Sequence, residues 1–232
     1  MIKFDDVTKI YPTHSSNGYS TTALKNISFE VAKGEFLLII GKSGAGKTTL
    51  IRLLESEEKP TFGKIFYNNE DISKIKTSKL PIYRRKLGVI YQDYKLLPQM
   101  NVFENVSFAM MVTGKSDSEI RDSVPKTLEI VDLIDKINNF PNQLSSGEKQ
   151  RLAIARAIVN QPEVILADEP TGNLDCYFAL DIVHLLEKIN RLGTTVILAT
   201  HDRDLVNHLR KRVITLEDGE IIRDDKEGKL IF

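Results

Sequence analysis

The chain has 232 residues, a length that suits one α/β domain with a sizeable core. Apolar residues make up 41% and charged residues 28%, and the 32 basic and 32 acidic side chains cancel, so no broadly basic surface argues for wrapping nucleic acid. Cys176 is the only cysteine, which excludes an internal disulfide and fits a reducing cytosol. The first residues show no basic-then-apolar leader pattern, and no apolar stretch approaches the ~20 residues that span a bilayer. Work at a membrane therefore requires another chain as anchor.

The chain-order reading begins with a strand over residues 2–7. A polar surface loop over 11–22 and a strand over 24–31 follow. The turn Lys33-Gly34-Glu35 leads into the continuous apolar run 36–40, the signature of a buried strand. Next comes Gly41-Lys42-Ser43-Gly44-Ala45-Gly46-Lys47-Thr48-Thr49, after which Leu50, Ile51, Leu53 and Leu54 recur at helical spacing. A turn over 59–63, a short strand over 64–67, a turn over 68–71, a short helix over 80–85 and a strand over 87–91 complete the first part. Residues 93–160 hold no clear strand and three helices, over 102–111, 116–131 (kinked by Pro125) and 146–159. Strands then return at 164–167 and 195–199, with helices over 179–191 and 204–209. The final pair of strands, 213–216 and 220–223, flanks the hairpin signal Glu217-Asp218-Gly219. The charged end, 224–232, reads as a mobile tail.

Strand, glycine-rich turn and helix together make G-x-x-x-x-G-K-[ST] a phosphate site rather than a string match. The glycines let successive N–H groups curl around phosphate oxygens, and the new helix adds its positive end. Lys47 is placed to reach the β- and γ-phosphates, and the Thr48 hydroxyl to hold Mg²⁺. Asp168-Glu169 closes the strand 164–167, where a Mg²⁺ ligand (Asp168) and a water-polarising base (Glu169) are needed. Ser145 and Glu148, three apart at the head of the helix 146–159, form a capping box, and the same helix end is an anion site.

The order of these pieces resembles that of ABC-type ATPases over essentially the whole chain: the phosphate loop, Gln92, Leu144-Ser145-Ser146-Gly147-Glu148, Asp168-Glu169 and His201. The resemblance implies a P-loop NTPase with a RecA-like core (1–92 and 161–232), an antiparallel β subdomain and an inserted α-helical subdomain (93–160). It implies that Gln92 holds Mg²⁺ and water, that His201 bonds the γ-phosphate, and that Gly172-Asn173-Leu174-Asp175 couples two active sites. The run Ser145, Ser146, Gly147, Glu148 then contacts nucleotide held by a second subunit in a head-to-tail homodimer with ATP sandwiched between the copies. Ser146 stands where the family has glycine, and its Cβ crowds that contact. An aromatic stacks on adenine in this family; Tyr11 is the first candidate and Tyr19, in the same polar loop, the rival. The stretch 93–106 docks a membrane partner in the family, although Leu96, Leu97 and Phe103 equally suit local core.

Within the family the runs 83–98, 167–175 and 193–202 resemble the cell-division branch. That implies an integral membrane partner resembling FtsX and indirect control of peptidoglycan hydrolases. It also implies a peripheral location on the cytoplasmic face of a bacterial membrane, with no nucleic-acid partner. The alternative is the ATPase of a lipoprotein-release or macrolide-export system, which shares the Asp168–Asp175 run.

Overall fold

The computed structural model describes residues 1–12 and 20–228. In chain order the elements are β1 (Ile2–Pro12), β2 (Ser20–Val31), β3 (Phe36–Ile40), α1 (Lys47–Leu54), β4 (Phe62–Tyr67), β5 (Glu70–Asp71), α2 (Leu80–Arg84) and β6 (Leu87–Ile90). They continue with α3 (Val102–Val112), α4 (Asp117–Ile130), α5 (Ser146–Ile158), β7 (Val164–Asp168), α6 (Cys176–Arg191), β8 (Thr195–Thr200), α7 (Arg203–Leu209), β9 (Arg212–Glu217) and β10 (Glu220–Asp225). Two compact units emerge, Met1–Ile82 with Thr195–Phe232, and Tyr83–Thr194.

The first unit holds an antiparallel sheet in the order β2-β1-β4-β5. It also holds β3 flanked by parallel β8 and β9, with β10 antiparallel to β9. Every residue of β3 and β8 is buried, as an apolar run without polar alternation requires of a strand covered on both faces. The second unit pairs β6 with β7 in parallel and carries α3, α4, α5 and α6. Helix α4 continues through Pro125, and Thr127 Oγ1 donates to the carbonyl of Ser123 across the break.

Several boundaries differ from the sequence expectation. Tyr11, Pro12 and residues 20–22 belong to strands, not to a surface loop; Tyr11 pairs with Thr21. The alternation that marks a strand is lost because β1 shifts register three times against β2, between Phe4 and Ile10. Asp6 sits at φ 51 in that stretch, and a Cβ on Gly63 would lie 2.2 Å from its carbonyl oxygen, so the irregular strand is packed directly on glycine backbone. Glu70 and Asp71 pair back on β4, which leaves only Asn68 and Asn69, both at positive φ, as the turn. Helix α6 starts at Cys176 because Asp175 caps it. Asp224 and Asp225 belong to β10 rather than to a tail; the Arg212 guanidinium grips Asp224 with two bonds of 2.7 Å and reaches Glu35 at 2.9 Å.

Candidate nucleotide site

In the first unit the phosphate loop leaves the end of β3. Ile40 lies level with Thr200 of β8 and Thr215 of β9, so Gly41 emerges beside the residue that follows β8, His201. Parallel neighbours about 4.8 Å apart thus deliver both groups at the same sheet edge. His201 is exposed there, and Asp202 caps α7 immediately behind it by accepting from the N–H groups of Asp204 and Leu205. Gly41 is required by contact: a Cβ would lie 2.6 Å from the carbonyl oxygen of Leu216. Gly46 is required by contact and by conformation. Its φ is 105, and a Cβ would lie 2.6 Å from both the Ala23 carbonyl oxygen and Leu24 Cδ2.

Helix α1 begins without a side-chain cap and with no acid in its first turn, whereas α3, α4, α5, α6 and α7 each begin with a capping side chain. Its leading N–H groups and positive end are left for an anion. Lys47 is buried to 6% exposure, and its ammonium donates to the carbonyls of Gly41 (2.7 Å) and Lys42 (3.1 Å), across the mouth of the loop. Lys42, Ser43, Gly44 and Thr48 are exposed, Thr49 is half-buried and Ala45 buried. Tyr11 sits in register with Thr21, two residues before Ala23, whose carbonyl oxygen and the neighbouring Leu24 side chain crowd Gly46, so β2 ties the tyrosine to the phosphate loop. Tyr19 lies outside the described residues.

In the second unit Ile90 is level with Ala167, so Gln92 and the pair Asp168-Glu169 leave one edge of two adjacent parallel strands. Glu169 adopts φ 49, a left-handed conformation that non-glycine residues occupy at a cost, typically at functional sites. A Cβ on Gly172 would lie 2.9 Å from Gln92 Nε2, and Asn173 Nδ2 donates to the Gln92 carbonyl at 2.8 Å. The loop before α6 therefore packs on the Gln92 loop. Asp175 closes it by accepting from the N–H groups of Tyr177 and Phe178, both at 3.1 Å.

At the head of α5, Ser145 and Glu148 form the expected reciprocal capping box. The Ser145 N–H holds the Glu148 carboxyl below its usual pKa. Ser146 is exposed in the first turn, and Gly147 is buried against the Phe178 ring, with 3.4 Å available to a Cβ. Three residues that sequence reading missed organise these loops. Arg156, on α5, donates to the carbonyls of Tyr94 (2.8 Å) and Lys95, both at positive φ just after Gln92. Fully buried Asn105 bonds the backbone of Leu97, Met100 and Asn101. Lys9 is the third, buried to 9% exposure beside Tyr11. None has a spacing signal, because each acts on backbone or ring atoms that only folding brings near. Leu96, Leu97 and Phe103 are half-buried.

Among the described residues no cluster of His, Cys, Asp and Glu suits a dedicated metal cage. Hard oxygens of the kind that suit Mg²⁺ are the Thr48 hydroxyl in the first unit and, in the second, the Gln92 amide oxygen and the Asp168 carboxylate.

A buried strand, an uncapped glycine-turned helix and a lysine folded over the loop define a P-loop nucleoside triphosphatase. The chain belongs to the ABC transporter family, whose profile matches residues 24–172, and it is an ATPase of that family. It is 49% identical to the cell division ATP-binding protein FtsE of Bacillus subtilis, covering 99% of this chain and 98% of that one. It is 43% identical to FtsE of Escherichia coli, covering 95% and 97%. Among solved structures, the ATP-binding cassette MJ0796, a dimer in a post-hydrolysis state bound to ADP and Pi, is 36% identical with a TM-score of 0.88, covering 99% of this chain and all of that one. Among the described residues no helix is long and apolar enough to cross a membrane.

Proposed function

We propose that the chain is the ATP-hydrolysing motor of a cell-division complex, acting as a head-to-tail homodimer on the cytoplasmic face of a bacterial membrane. Its partner is an integral membrane protein of the FtsX kind, and its output is activation of peptidoglycan hydrolases. The observation that carries this reading is the identity of 43–49% to FtsE proteins over 95–99% of the chain. On α3, Phe108, Met111 and Val112 are 41%, 54% and 62% exposed and share one helix face, which supports contact with a partner chain.

In the proposed cycle, Tyr11 stacks on adenine and the N–H groups of residues 41–49 receive the phosphates. The Lys47 ammonium moves from the loop carbonyls to the β- and γ-phosphate oxygens. Thr48, Gln92 and Asp168 would hold Mg²⁺, which would supply charge neutralisation on those oxygens. Glu169 accepts a hydrogen bond from the attacking water and takes its proton as the new P–O bond forms. The bond between the γ-phosphorus and the bridging oxygen breaks, and its electron pair leaves on ADP. His201 donates to the γ-phosphate. Such a reaction asks mainly for positioning and charge stabilisation, and these residues supply both. Ser145, Ser146, Gly147 and Glu148 of the other copy close the site, and Asp175 carries the coupling loop to it. Hydrolysis removes the joint between the copies, a two-state change able to drive the partner.

The test is a pull-down of Glu169→Gln protein with ATP from detergent-solubilised host membranes, with the bound chains identified by mass spectrometry. Recovery of a four-span protein with a large outer domain supports the division reading. Recovery of an export or lipoprotein-release permease instead overturns it while leaving the ATPase chemistry in place.

A further inference from the structure

Among the described residues the buried lysines are Lys47 and Lys9, the latter at 9% exposure. A charge is retained in such a place only when it is paired and bonded. Its ammonium meets the Glu58 carboxylate at 2.7 Å and the Lys59 carbonyl at 2.9 Å. Both partners lie on the turn that ends α1, where the N–H groups of Glu57 and Glu58 bond back to the Arg52 carbonyl. The same turn is stitched to β1 on either side of Lys9, by Thr61 N–H to the Thr8 carbonyl and by Ile10 N–H to Thr61 Oγ1. The ammonium also stands 4.8 Å from the centroid of the Tyr11 ring. The Tyr11 hydroxyl is buried with no hydrogen-bond partner, so hydrogen bonding at that hydroxyl does not orient the ring.

We propose that Lys9 is a positioning residue for nucleotide binding: its ammonium, anchored on the end of the phosphate-loop helix, occupies one face of Tyr11 and presents the other face to the purine. This rests on the reading of Tyr11 as the adenine platform. The geometry gives Lys9 two effects. It fixes the plane of the ring relative to α1, whose other end cradles the phosphates, and so sets the distance between the base and phosphate subsites. It also draws ring electron density toward the cation, which leaves the opposite face a better partner for an electron-rich base.

The experiment compares affinities for ATP and for inorganic tripolyphosphate, which offers the phosphates without a base, in Tyr11→Ala, Lys9→Met, Lys9→Gln and Lys9→Arg proteins. The readout is the ratio of the two affinities, in which any general loosening of the phosphate loop cancels. Tyr11→Ala is expected to lower the ratio roughly fivefold to a hundredfold, the loss of one base–aromatic stack. Lys9→Met and Lys9→Gln are expected to lower it roughly threefold to tenfold, and Lys9→Arg to restore most of it. Where one of the two neutral variants does not fold, the other carries the measurement. An unchanged ratio in a folded neutral variant, with Tyr11→Ala still selective, overturns the role of Lys9 alone. A ratio unchanged by Tyr11→Ala overturns the stacking reading beneath it.

Discussion

Replacing Gly46 by alanine separates what the phosphate loop needs from what any glycine turn needs. Gly46 and Gly193 share nearly the same backbone, φ 105 and φ 102. Around Gly193 a Cβ would meet nothing within 4 Å, whereas at Gly46 it would meet the Ala23 carbonyl oxygen and Leu24 Cδ2, each at 2.6 Å. Both substitutions place an L side chain in left-handed space, at a cost of about 1–2 kcal/mol. Only Gly46→Ala adds a collision. The leucine methyl can turn away, but the carbonyl oxygen belongs to β2, so strand and loop must part, which overpacking data put at about 1–3 kcal/mol. Gly46→Ala should therefore melt about 2–12 °C below Gly193→Ala, taking 2–4 °C per kcal/mol for a chain of this size. Parting β2 from the loop also misplaces the phosphate-binding N–H groups, so ATP affinity should fall at least about tenfold, while Gly193→Ala binds as wild type does. Thermal melts without nucleotide and a fluorescent-nucleotide titration measure the two effects. If the two variants melt within about 1 °C of each other and Gly46→Ala keeps wild-type affinity, the close approach of β2 to the loop does not shape the site.

Lys47→Ala should abolish measurable ATP binding by titration, because in the proposed cycle the ammonium that bridges the Gly41 and Lys42 carbonyls moves onto the phosphates. Arg156→Met should lower kcat more than KM in steady-state hydrolysis, since it releases the backbone after Gln92 while leaving the phosphate loop intact; equal losses in both would show that it acts through general instability. Arg212→Met should make stability less dependent on acid pH. Bonds from Arg212 depress the Asp224 carboxyl below its ordinary value of 3.8, so this stabilisation is full above that value and fades as pH falls through the lower folded pKa. The melting-temperature gap between wild type and Arg212→Met should accordingly narrow below about pH 4, and a gap constant with pH would contradict the pairing.

What was legible in the sequence follows from short-range physics. The run 36–40, the glycine turn and the Ser145–Glu148 box each specify local geometry within a few residues, and the structure has all three. The acids were readable because the buried apolar part of β7 must end where charge appears, at Asp168, its last and half-buried residue. The first strand was read over residues 2–7, but the extension of β1 to Pro12 was not readable, since three register shifts erase the alternation on which strand reading depends. Lys9, Asn105 and Arg156 were invisible for a different reason. Arg156 bonds carbonyls 61 and 62 residues away, and Lys9 pairs with Glu58, 49 residues on. Such contacts leave no pattern in neighbouring residues.

In the proposed cycle ATP joins two copies of this chain, and Glu169 is needed to undo the joint. Light scattering of Glu169→Gln protein after gel filtration, with and without Mg²⁺-ATP, tests it directly. The variant is expected to be a monomer without nucleotide and a stable dimer retaining ATP when nucleotide is present, with hydrolysis at least about 10²-fold below wild type. A monomer under both conditions, or a variant that hydrolyses ATP at the wild-type rate, would contradict it.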